Sequence, residues 1–155
     1  MKRKNQRGLT LVELVVTFTI MLILSVMAIP LARVKIRTRR EMDLKFALRE
    51  MYAAIDKYKD ACDQGIFGAI KQGTFCYPES LEILVEGVKT QSADGKKLKF
   101  LRSVPRDPFT NSTEWGLRSM QDDPKSTSWG GQNVFDVYSK STERARDGTP
   151  YSDWN

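Results

Sequence analysis

Gly8-Leu9-Thr10-Leu11-Val12-Glu13 lies between the basic residues Lys2, Arg3, Lys4 and Arg7 and an apolar run that reaches Ala32, in which Glu13 is the only charge. From Leu9 to Ala32 the run is 24 residues long, about 36 Å as a helix. A bilayer's hydrocarbon core is about 30 Å thick, so 9–32 is predicted to be a membrane-spanning helix. Thr10, Thr17, Thr19 and Ser25 can bond backbone carbonyls, which makes them tolerable in lipid. Pro30 is expected to loosen the helix rather than end it, because the helical pattern resumes beyond it. Glu13 is harder to place, since an intramembrane charge costs roughly 2.5 to 3.5 kcal/mol even on lenient insertion scales. It calls for a partner, the alternative being a side chain that snorkels to the headgroups.

Working outward, Leu44, Leu48, Met51, Ile55, Tyr58 and Cys62 recur at alternating intervals of four and three, which draws one apolar seam along a helix. The seam is too short for a coiled coil and predicts packing against the chain's own sheet. Gly65 is the expected end, with Asp56, Lys57, Lys59, Asp60 and Asp63 on exposed faces. The chain therefore divides into a leader, 1–8, an apolar helix, 9–32, and a folded domain, 33–155, whose first part, 33–64, continues the helix.

Beyond it, Pro78 near the start and Gly87 past the end frame a short helix over Leu81-Glu82-Ile83-Leu84-Val85-Glu86. Ser92 to Lys97 is polar and predicts a turn. Leu98 to Val104, Glu114 to Met120 and Asn133 to Ser139 are rich in aromatic and β-branched residues and predict a three-stranded antiparallel sheet. Pro105 to Phe109 and Asp122 to Lys125 read as loops. The class is α+β: a long N-terminal helix on a small antiparallel sheet, with a short helix between. Tyr151 and Trp154 are expected to cover an end of that sheet, the alternative being a subunit contact.

Composition narrows the function. The 25 cations outnumber the 19 carboxylates for a charge of +6, but without the four leader cations the balance is 21 against 19, or +2. That gives little support to nucleic-acid binding. Histidine is absent, which removes Ser-His-Asp and Cys-His catalysis and most zinc sites. With no phosphate-cradling GxxxxGK[ST] loop either, the chain reads as non-enzymatic and needing no cofactor. Cys62 and Cys76 match no CxxC motif. They predict a disulfide if this part faces an oxidising compartment, and two buried thiols otherwise.

Arg7-Gly8-Leu9-Thr10-Leu11-Val12-Glu13-Leu14 resembles the processing motif of type IV pilins and of the pseudopilins of type II secretion. The resemblance implies that a prepilin peptidase cuts after Gly8 and methylates the new amine of Leu9, where the family usually has phenylalanine. It implies a single-pass inner-membrane protein, leader in the cytoplasm and folded domain in the periplasm. It also gives Glu13 a role, neutralising the Leu9 amine of a neighbouring subunit during assembly. Tyr77-Pro78 with Leu81 to Leu84, Val104 to Phe109, Asp136 to Ser139 and Asp147-Gly148-Thr149 are similar to successive signatures of the major, G-type pseudopilin.

On that resemblance the partners are other copies in a helical filament, minor pseudopilins, the peptidase, an inner-membrane platform with its cytoplasmic ATPase, and an outer-membrane secretin. Many major pseudopilins bind calcium in the C-terminal loop, and the matching oxygen donors would be Ser139, Asp147 and Asp153. Here Lys140 to Arg146 replaces the family's glycine-rich stretch, bringing Arg144 and Arg146 beside the site; the competing reading makes Asp147-Gly148 a simple turn. Four rival readings of the chain stand beside this one, of which an enzyme would need a carboxylate-based site in the C-terminal loops, where no acidic pair stands out. A type IV pilin for adhesion, motility or DNA uptake shares the motif, but often has cysteines enclosing a C-terminal region. A secretory signal cut after Ala28 would have a shorter apolar run. A periplasmic binding module on a single-span anchor would stay uncleaved.

Overall fold

The computed structural model describes residues 10–69, 71–91 and 95–154, with side chains left undescribed at 27–31. The first element, α1, is a helix over Leu11–Asp63. The chain forms two compact units, Met1–Arg39 and Arg40–Asn155.

In the first unit every described side chain is exposed, the large apolar ones from Leu11 at 79% to Leu14 at 44%. Among the described residues, Leu11 to Val26 carries exposed apolar side chains on every side of the helix. Its hydroxyls are satisfied within the helix: Thr17 donates to the Leu14 carbonyl at 2.9 Å, Thr19 to Val15 at 2.7 Å and Ser25 to Met21 at 2.7 Å. The helix runs on through Pro30. Among the described residues, no helix is long and apolar enough to cross a membrane. The expected span, 9–32, includes Leu9 and the 27–31 side chains, which lie outside the described set.

The second unit is built on the seam. Leu44, Leu48, Met51, Ile55 and Cys62 are buried and Tyr58 is half-buried, so the 3.6-residue repeat has become one packed face. That face meets Leu81 and Leu84 of α2 (Leu81–Glu86) together with Leu101, Trp115, Val134, Val137 and Tyr151. At the end of α1 the Gly65 amide donates to Cys62 and the Ile66 amide to Ala61, a Schellman closure that needs the left-handed φ of +69° at Gly65. There the Cys62–Cys76 disulfide, with Cα atoms 5.5 Å apart, ties the helix end to the following loop. Phe67 and Ala61 pack beside it, and Tyr58, Phe67 and Phe100 meet in edge-on and tilted contacts.

The sheet differs in detail from the three strands expected. Two antiparallel ribbons form instead: β1 (Val88–Lys89) with β2 (Lys97–Leu98), and β3 (Gly116–Arg118) with β4 (Asp136–Tyr138). Leu98 pairs with Val88, while the Phe100 and Leu101 amides both donate to the Leu84 carbonyl at 3.0 Å. Those amides therefore close the end of α2, and Leu98 to Val104 does not continue as a strand. In the second ribbon Gly116 faces Tyr138, and a Cβ at Gly116 would land on the tyrosine ring. The α+β architecture holds: a long helix, a short one, then small antiparallel pairing.

Candidate assembly helix and C-terminal loop

Gly8 and Leu9, the residues of the expected cut, lie outside the described residues. The next residue opens the helix. Thr10 Oγ1 accepts the Glu13 amide at 3.3 Å and its carbonyl accepts the Leu14 amide at 3.1 Å. Thr10 is thus the N-cap, and Thr10-x-x-Glu13 has the spacing of a capping box. The spacing is legible in the sequence, but a threonine at the start of an apolar run reads there simply as a polar residue tolerable in lipid. It assigns Glu13 to the first turn, where the exposed amides of the helix favour a carboxylate. The Glu13 side chain is exposed, and among the described residues its carboxylate has no partner.

The three proposed calcium donors do not converge in one cluster. Ser139 is fully buried, and its Oγ donates to Asp107 Oδ2 at 2.6 Å. Asp107, 1% exposed, also accepts the Phe109 amide on Oδ1 at 2.8 Å. Asp147 and Asp153 are exposed and line a cleft of about 370 Å³ with Lys45, Leu48, Arg49 and Trp154. Asp147 Oδ1 accepts the hydroxyl and amide of Thr149, which hold its carboxyl below the usual carboxylate range, with a smaller pull from the Lys45 ammonium. Lys45 Nζ also lies 4.7 Å from the Trp154 ring centre. A calcium ion takes six to eight oxygen ligands, and this cleft, lined by two cationic side chains, does not supply them. Among the described residues no group of three or more acidic or thiol side chains is arranged to hold a metal.

The loop is instead closed by its own contacts. Tyr151 is fully buried, stacks on Phe109 with ring centres 4.0 Å apart and donates to Glu41 Oε1 at 2.9 Å. The half-buried Trp154 meets it edge-on and donates to Thr149 Oγ1 at 3.2 Å. A second cleft, about 750 Å³, lies beside β4 and is lined by Tyr52, Arg118 and Asp136 among others. Its polar wall is self-paired: Arg118 Nη1 lies 2.7 Å from Asp136 Oδ2, and Tyr52 donates to Asp136 Oδ1 at 2.5 Å. Arg118 also covers the Tyr138 ring at 4.0 Å.

The family model described as "Prokaryotic N-terminal methylation motif" matches residues 3–29. The chain carries that methylation motif. It is the signal of type IV pilins and pseudopilins, and it supports a place in the pilin superfamily. No curated protein and no solved structure matches the chain. The methylation motif takes in Gly8, Leu9, Thr10 and Glu13 together. The capped helix start and the exposed Glu13 carboxylate therefore lie within the recognised segment.

Proposed function

We propose that this chain is the structural subunit of a type II secretion pseudopilus: a prepilin cleaved after Gly8, methylated on Leu9, and polymerised through its N-terminal helix. The observation that carries the reading is the methylation motif over residues 3–29 with the carboxylate of Glu13, which has no partner among the described residues, in the first turn of a helix whose described apolar side chains are exposed. Before assembly the apolar segment 9–32 would lie across the inner membrane, leader in the cytoplasm and folded domain in the periplasm.

The chemistry follows from charge. Hydrolysis of the Gly8–Leu9 peptide bond releases the leader and creates an amine, which stays cationic after methylation. As the resemblance to pilins and pseudopilins implies, that amine meets the Glu13 carboxylate of an adjacent copy. A cation and a carboxylate in a low-dielectric setting compensate each other's desolvation only when they meet at hydrogen-bond distance, so the pair fixes the axial offset of neighbours. The same patch is not shared across a two-fold axis, so the contact is head-to-tail and generates an open helical filament. An ATPase of the assembly machinery would supply the energy, and an outer-membrane secretin the exit for folded substrates.

A type IV pilin is the second reading, since it shares the same motif. The disulfide joins the end of α1 to its following loop, upstream of β1, rather than enclosing a C-terminal region, and this favours the secretion assignment. Intact-mass and N-terminal analysis of the mature protein should return N-methyl-Leu9; any other N-terminus removes the prepilin reading. Deletion should abolish release of folded proteins into the medium. A deletion strain that secretes normally but loses surface pili would give the chain to the type IV pilus.

A further inference from the structure

Beyond the apolar run, α1 carries Arg33, Lys35, Arg37 and Arg39, with no carboxylate among residues 33–39. All four are exposed, and among the described residues Arg33, Lys35 and Arg39 have no carboxylate partner. Their angular placement is informative. At about 100° per residue, Arg33 and Arg37 fall within roughly 40° of each other, while Lys35 and Arg39 lie on the opposite side of the helix. Val34 and Ile36, also exposed, fill the intervals. A face built to dock on one protein surface gathers its charges on one side. Here the cations surround the axis over about 9 Å, a little more than the roughly 5 to 7 Å depth of one headgroup layer.

We propose that this collar binds anionic phospholipid headgroups where the apolar run leaves the bilayer. The inference rests on the membrane-anchored reading above. Long Lys and Arg stems can lie along the apolar surface while their charged ends reach phosphates on every side. Each cation near an anionic surface is worth roughly a fivefold gain in partitioning. Val34 and Ile36 add apolar contact at the same depth. The collar holds the helix at a fixed depth before assembly, and release from the headgroups becomes part of extraction.

The test inserts the full-length chain into vesicles of phosphatidylcholine with a minority of spin-labelled phosphatidylglycerol, or spin-labelled phosphatidylcholine as the control. The motionally restricted fraction reports headgroup preference. The wild type should enrich phosphatidylglycerol several-fold, and salt should reduce the enrichment. The exposed triple variant R33Q/K35Q/R39Q should fall toward the phosphatidylcholine level. Equal enrichment in wild type and variant, or none in either, overturns the proposal. Loss of single-stranded oligonucleotide binding in the variant, with its lipid shell unchanged, reassigns the collar to nucleic acid and overturns it as well. Failure to float with pure phosphatidylcholine vesicles removes the anchor reading and the collar with it, whereas flotation without enrichment removes the collar alone.

Discussion

Ser139 donates to Asp107 across 32 positions of sequence, and both side chains are buried. Asp107 also accepts the Phe109 amide, so one carboxylate fixes both the loop that carries Phe109 and the residue that follows β4. Phe109 in turn stacks on Tyr151. Replacing Asp107 by Ala should cost about 3 kcal/mol, since it strands a buried hydroxyl and a loop amide together. Ser139→Ala should cost less, about 1 to 2 kcal/mol, because Asp107 keeps its amide bond. Urea unfolding checks both. In the same experiment calcium and a chelator should give the same midpoint; a clear rise with calcium would restore the metal site that the geometry disfavours.

Tyr52 sets an alkaline limit. Burial first, and then its hydrogen bond to the Asp136 carboxylate, push the phenol well above its ordinary value of 10.0. A raised folded-state value means that the contribution is fully present below pH 10 and is lost as pH rises toward the folded value. Tyr52→Phe should cost about 1 kcal/mol at neutral pH, from the lost hydroxyl bonds to Asp136 and the Val137 carbonyl. The variant should then lose stability less steeply than the wild type above pH 10. Some slope should survive, because burial also raises Tyr58. Denaturant midpoints measured from pH 7 upward would show parallel curves if Tyr52 were uninvolved.

The Cys62–Cys76 disulfide closes a short loop, with a sequence separation of 14, against the end of α1. In the chain-entropy account such a loop is worth about 3 kcal/mol, so reduction or the double replacement by Ala should lower the unfolding midpoint accordingly. Because Phe67 and Ala61 pack on the pair, the loss should be felt first at the helix end. Hydrogen exchange should therefore accelerate over 58–67 before it does over 44–51. Uniform acceleration would place the disulfide's effect wholly in the unfolded state.

What was legible follows the physics of repetition. Leu44 to Cys62 repeats a helical period over five intervals, and Gly65 and Gly87 mark two ends, so both helices could be read directly. The strands repeat nothing for long: β3 and β4 have three residues each. Leu98 to Val104 has strand-forming composition, yet its Phe100 and Leu101 amides close α2, a choice set by tertiary packing. Asp107 with Ser139, and Tyr151 with Glu41, are partnerships at long separation that no local pattern announces. The N-terminal site is legible as a motif, while the cap that Thr10 places on it shows only in the bond from the Glu13 amide to Thr10 Oγ1.

Thr10 and Glu13 allow helix capping and assembly to be separated. Thr10→Ala removes the side-chain acceptor for the Glu13 amide and should cost the helix start about 1 kcal/mol, while leaving the carboxylate in place. Filaments should still form, with a frayed first turn. Glu13→Ala keeps the Thr10 hydroxyl and the Glu13 position's backbone amide but removes the charge on which the proposed pairing with a neighbour's Leu9 amine depends. Cleavage after Gly8 should proceed largely as before, and mature subunits should accumulate in the membrane, unassembled or out of register. Glu13→Gln, which retains shape and polarity without charge, should behave like the alanine variant rather than like Thr10→Ala. Immunoblotting reports leader removal and electron microscopy reports filaments. Normal filaments from Glu13→Gln would show that register comes from apolar packing alone, and Glu13 would then be an ordinary first-turn carboxylate.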